Sequence, residues 1–277
     1  MIVDDMKIRL LSCLMVISSV TSLSAAEMQY PLDVLEVDKS MSYVADRNLP
    51  GVWKVSEGKA EIFFEGSKKF RTPLNAIRCL ALDHEGKLLA GDSATREVYR
   101  FDENNKPVPL TKGRIGIPMA MAVAKTGEIY VADLELHRIW KVPSAGGEPE
   151  EVAQVAAPRG MSIDSDGQLW IVSHGPNHVV KLNPADGSVT SVVEGMAFEF
   201  GHDIVVEADK TAYVVDGYAK TVWKITAGEA PKEFFKGEPL KNPVGLSLSE
   251  NGLLVADPHQ KMIYRISPDG KIAPVIQ

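Results

Sequence analysis

The stretch Ile129-Tyr130-Val131-Ala132-Asp133, followed after a short polar loop by Arg138-Ile139-Trp140-Lys141-Val142, carries the architecture of this chain. Its first five residues recur as Leu88-Leu89-Ala90-Gly91-Asp92, Ala212-Tyr213-Val214-Val215-Asp216 and Leu253-Leu254-Val255-Ala256-Asp257. Weaker copies stand at Ser42-Tyr43-Val44-Ala45-Asp46 and Leu169-Trp170-Ile171-Val172-Ser173. The last residues of successive copies lie 46, 41, 40, 43 and 41 positions apart, so one supersecondary unit repeats along the chain.

Each copy sits in the same longer pattern. An alternating apolar run comes first, then a turn such as Asp164-Ser165-Asp166-Gly167 or Ser249-Glu250-Asn251-Gly252, then the motif. A polar loop and a run such as Thr221-Val222-Trp223-Lys224-Ile225 or Met262-Ile263-Tyr264-Arg265-Ile266 follow. Period-two runs joined by Gly-containing turns predict an antiparallel meander. A fourth apolar run, for example Glu233-Phe234-Phe235, closes most units. Four short strands per unit make one blade of a β-propeller. No unit holds a helical apolar stripe of useful length, which argues against a helical solenoid.

The N-terminus differs from the repeats. Lys7 and Arg9, an apolar run from Ile8 to Val20, and Ser24-Ala25-Ala26 follow the order of a secretory signal peptide over residues 1–26. Met6-Lys7 would make a better start than the acidic Asp4-Asp5. Cys13 mimics a lipoprotein cleavage site, but the apolar run continues past it, which argues against lipid anchoring there. Cleavage near Ala26 predicts an exported, periplasmic or secreted, chain of 251 residues with Cys79 as its one thiol and no intramolecular disulfide. The five periods span 211 residues and the flanks of 20 and 20 supply one more, so an all-β domain of six four-stranded antiparallel blades is expected over 27–277. How the ring shuts is left open, since 32–37 can supply the first strand of blade one and leave the last blade wholly C-terminal.

Composition bounds the function. A chain that is 45% hydrophobic and 24% charged is neither disordered nor a multi-span membrane protein, and the mature chain has no transmembrane span. A net charge of −7 without a Lys/Arg run argues against nucleic acid as a partner. A monomer is expected.

In a four-stranded meander the loops leading into each blade share one rim with the loops between second and third strands. Counting back from the motif places Leu32, Arg78, Met119, Arg159, His202 and Val244 in a ring at the mouth of the central channel. Loops after the motif add His137, His174, His178, Tyr218 and His259 to this rim. The candidate ligand-binding set is Arg78, Met119, Arg159, His202, Asp203, His174, Tyr218 and His259, with His202 and Tyr218 catalytic if the protein is an enzyme. Arg78 and Arg159 can clamp an anion, or each can pair with a loop carboxylate. Adjacent strand residues face opposite ways, so His202 is not expected to pair with Asp203. His174 and His178 flank a Gly175-Pro176 turn that is a poor metal frame, and the motif aspartates read as turn formers rather than ligands. Cys79 reads as a small buried hydrophobe.

Residues 118–142, 158–182 and 243–266 resemble NHL repeats, which run Pro-x-Gly, apolar strand, Asp-x-x-Gly, Tyr-Val-Ala-Asp and Arg-Ile. That resemblance implies a six-bladed propeller, and such propellers include binding modules and enzymes alike. Gly201-His202-Asp203-Ile204-Val205 through Thr221-Val222-Trp223-Lys224 looks like a blade of the peptidylglycine amidating lyase, whose three channel histidines hold zinc. The resemblance matches His202 to one ligand and Asp216-Gly217-Tyr218 to the family's tyrosine loop. Pro158-Arg159-Gly160 has Arg where a ligand would stand, which argues against zinc chemistry. A looser likeness to the gluconolactonase and senescence-marker family implies calcium at the mouth, for which only Asp203 and Asp33 offer carboxylates. No cofactor is predicted, and a divalent cation in the channel is left open. The expected function is binding of a small anionic or peptide-like ligand, or of a protein partner, at one rim. The alternative is a lactonase-type hydrolase or a lyase using the same funnel.

Overall fold

A computed structural model describes residues 27–276. The signal-peptide reading of residues 1–26 lies outside the described residues. Twenty-four strands form six antiparallel sheets of four consecutive strands each, over 31–65, 77–109, 118–154, 158–193, 201–236 and 245–274. They are the six blades of a β-propeller, and the described residues contain no α-helix.

The core lies between the blades rather than on the axis. Six hydrophobic clusters each join two neighbouring blades. Between blades three and four, for example, Ala132 and Ile139 pack on Met161, Leu169 and Ile171. Second strands such as Ile129–Asp133 are buried along their whole length because a neighbouring blade covers each face, which explains their unbroken apolar runs. Outer strands such as Glu150–Gln154 meet solvent and carry the charges.

The ring shuts without strand exchange. Pro31–Asp38 is the innermost strand of blade one, and blade six is wholly C-terminal. Side-chain packing and side-chain-to-backbone hydrogen bonds close the gap: Val34, Val44 and Trp53 pack on Leu254, Ala256 and Ile263, and the Glu36 amide donates to Ser247 Oγ at 3.2 Å.

The motif aspartates are structural, and their wiring sets the rim. Asp133 is fully buried; its carboxylate accepts the amides of Gly116 and Ile117 ahead of the inner strand, those of Glu135 and Leu136 in its own turn, and Trp140 Nε1. Asp46, Asp216 and Asp257 likewise take amides from both loops. In five of the six blades one carboxylate thus fixes the two loops that build the channel mouth, and in blade four Ser173 stands in its place, its hydroxyl donating to the Ala156 carbonyl and accepting the Gly175 amide.

Candidate functional site

A cavity of about 390 Å³ occupies the channel, and all six ring residues, Leu32, Arg78, Met119, Arg159, His202 and Val244, line it. A repeated irregularity places five of them there, whereas Val244 directly precedes a strand of regular register. In blade one Pro31 and Asp33 oppose the adjacent residues Asp46 and Ala45, leaving Leu32 as an extra residue. The same insertion falls on Arg78, on Met119, within Arg159-Gly160 and on His202. Such β-bulges redirect a side chain at the rim of a closed sheet.

The bulge corrects one expectation. Strict alternation would aim His202 and Asp203 to opposite faces, yet both line the cavity, because the inserted residue breaks the alternation at that point. They still make no hydrogen bond to one another. Asp203 instead accepts the Ile204 amide at 2.8 Å and the Leu246 amide of the next blade at 2.9 Å. Asp33 repeats this in blade one with Val34 at 2.8 Å and Leu80 of blade two at 2.7 Å. Glycines make room: a Cβ on Gly160 would stand 2.3 Å from Asp203 Cα, and one on Gly245 2.8 Å from Asp33 Cα.

Electrostatics divide the channel into two zones. At the mouth stand Arg78, Arg159 and Arg47, the last missed by the sequence reading although it follows motif residue Asp46 directly. Of the nine arginines described, five pair with carboxylates: Arg96, Arg100, Arg114, Arg138 and Arg265. Arg47, Arg71, Arg78 and Arg159 have no such partner among the described residues, so the pairing considered for Arg78 and Arg159 does not occur. Arg78 Nε donates to Ser93 Oγ at 3.1 Å, whereas Arg159 Nε is buried without a partner. Burial, then the charge of Arg47 on Arg78 and of Arg78 on Arg159, lowers both guanidinium pKa values. Deeper in the channel, burial pushes Asp203 up to about 7 and Asp33 well above the usual carboxylate range, the charge of Asp203 adding to the second effect. Burial and Asp33 also raise the Cys79 thiol, which keeps it un-ionised and inert.

Phe200 gathers four predicted residues, and no feature of the repeat singled it out. The Asp216 carboxylate holds its amide at 3.0 Å, fixing it two residues ahead of the bulge. The Arg159 guanidinium lies 4.5 Å from its ring centroid, His174 4.3 Å, and His202 and Tyr218 4.8 Å each. Tyr218 stacks on Phe200 outside the cavity lining and is 66% exposed. His174 donates from Nε2 to the Gly201 carbonyl at 2.7 Å. Burial, then Arg159 and His174, pushes His202 down to about 4, which leaves its imidazole neutral.

The remaining histidines stand apart. His178 Nδ1 accepts the Phe198 amide at 3.0 Å while its ring stacks on Phe198. His259 lies against Tyr30 and His137 is an exposed turn residue with positive φ, neither lining the cavity. Backbone amides engage each oxygen of Asp33 and Asp203, and no group of three or more His, Cys, Asp or Glu side chains placed to hold a metal ion occurs among the described residues.

The sequence matches no family description and no curated protein. Solved structures resemble it in fold. A virginiamycin B lyase from Staphylococcus aureus superposes with a TM-score of 0.68 at 16% identity over 91% of this chain and 86% of its own. A gluconolactonase from Xanthomonas campestris gives 0.71 at 13% identity, covering 84% of each chain. A nidogen/laminin complex structure gives 0.67 at 15%, covering 86% of this chain and 89% of that one. Two of these names denote enzymes and one a protein–protein complex, so what this chain shares with them is the fold alone.

Proposed function

We propose that the channel mouth binds a small anion, a carboxylate or phosphate held by Arg78 and Arg159 with its body against the apolar ring residues. The observation that carries this is three arginines without a carboxylate partner around one cavity, in a chain whose net charge is −7. Like charges gathered without a counter-charge repel, and a bound anion relieves that repulsion. A cavity of about 390 Å³ is of the size that takes a small molecule or a peptide end. Calorimetry with small carboxylates and phosphates tests it. Wild type should bind, and Arg159→Ala should bind roughly ten- to a hundred-fold more weakly, as expected for loss of one charge-assisted hydrogen bond. Equal binding by both proteins would make the arginines structural. No binding by wild type would turn the reading toward a rim that docks a protein.

The neutral His202 beside Arg159 favours a second reading, hydrolysis or elimination with His202 as base. A pKa of about 4 makes a weak base at neutral pH, so binding stands first. Turnover of a lactone panel that disappears in His202→Ala would reverse that order. Export completes the proposal and rests on the charged, apolar, small order of residues 1–26. Mass spectrometry of protein from the native source should then find an N-terminus near Glu27, and a full-length cytoplasmic chain would refute export.

A further inference from the structure

The anion site does not end at the channel. A second cavity of about 420 Å³ adjoins it, lined by Tyr30, Arg47, Asn48, Lys68, Asn75 and Ala76. Tyr30 and Arg47 line both cavities, so the two form one concave surface running from the axis out between blades one and two. The sequence around it is one-sided. From Gly66 to Leu82 there are four cations, Lys68, Lys69, Arg71 and Arg78, and no Asp or Glu. Arg47 and Lys68 have no ion-pair partner among the described residues, and none of the six residues lining this second cavity is a carboxylate that could supply one.

The groove is also held open. Thr72 Oγ1 donates to the carbonyls of Ser67 and Lys69 at 2.6 and 2.8 Å, and Asn75 Nδ2 to the same two at 3.0 and 2.9 Å. Fully buried Leu74 anchors the segment below. Lys68 is therefore carried on a braced loop facing Arg47 across the groove. A single small anion at Arg78 and Arg159 leaves Lys68 and the outer side of Arg47 without a counter-charge.

We propose that the ligand carries two separated anionic groups, one gripped at the channel mouth by Arg78 and Arg159, the other seated in the blade one–blade two groove between Arg47 and Lys68. This rests on the anion-binding reading above and narrows it to dianions. Arg47, bordering both seats, orients the molecule between them.

Calorimetry with monocarboxylates and an α,ω-dicarboxylate series of increasing length separates the two claims. Wild type should favour dicarboxylates of one length range over monocarboxylates by ten-fold or more. Lys68→Ala should abolish that preference, and Arg159→Ala should weaken both ligand types. Lys69→Ala, on the same loop but outside the groove lining, should alter neither. Equal affinity of wild type for mono- and dicarboxylates would overturn the dianion and spare the anion site. Equal losses in Lys68→Ala and Lys69→Ala would reduce the groove to a general positive field and overturn it too. Failure of wild type to bind any anion would sink the underlying reading itself.

Discussion

Phe200 is the residue on which the mouth depends, since one ring touches Arg159, His174, His202 and Tyr218. Its face is the negative pole of the aromatic quadrupole and holds the Arg159 guanidinium in place for a ligand. Phe200→Ala should free that side chain and weaken anion binding. A cation–π contact worth about 0.5–2 kcal/mol corresponds to roughly a two- to thirty-fold loss. Calorimetry alongside thermal unfolding checks this, because a fall in affinity without a large fall in Tm isolates positioning from folding. Unchanged affinity would mean that bulge geometry alone aims Arg159.

At the scale of the element, the unit of design is the motif aspartate with its two loops. Removing the Asp133 carboxylate strands four backbone amides and Trp140 Nε1 in a region with little access to water. Each abandoned buried donor costs about 1–3 kcal/mol before relaxation. Asp133→Ala should therefore destabilise the protein by about 3–5 kcal/mol in urea unfolding, the range for breaking a buried charged network. A loss under about 1 kcal/mol would show that the loops hold themselves. The bulge belongs to this scale too. Tightening the leading-in loop against the second strand makes two inner-strand residues oppose one partner residue, and the surplus side chain turns into the channel.

At the scale of the whole molecule, blades one and five each send a carboxyl into the channel, and both are shifted toward the protonated form. Between the ordinary Asp value of about 3.9 and about 7, folded Asp203 keeps a proton that the unfolded chain has released. Stability from this group therefore falls as pH rises through that window. His202 acts in the opposite sense, with stability rising from about 4 to 6.5, and His174 and His178 are lowered in the same direction. Above pH about 6.5 the lowered histidines no longer contribute, while the raised acid pair does, and at higher pH the raised Cys79 thiol acts in the same direction as the acids. Wild-type Tm should thus decline from there into mildly alkaline pH, and Asp203→Asn should flatten the decline by removing one ionisation and its repulsion of Asp33. A flat wild-type profile would contradict the buried-acid reading.

The sequence by itself determined the number and order of blades, because a forty-residue period of alternating strands has few ways to bury both faces except against copies of itself. It also located the six ring positions, since one motif residue per unit ties down loops of nearly constant length. Only the tertiary structure decided what those positions face. Alternation along a strand cannot reveal a bulge, so the shared side of His202 and Asp203 was invisible until the pairing register was known. Whether Arg78 and Arg159 meet carboxylates depends on loops from other blades. Arg47 and Phe200 join residues 31 and 41 positions away in the chain, Arg78 and Arg159, which only closure of the ring brings together. Periodicity specifies the frame, whereas the field inside the channel is a sum over six blades, and no single repeat contains it.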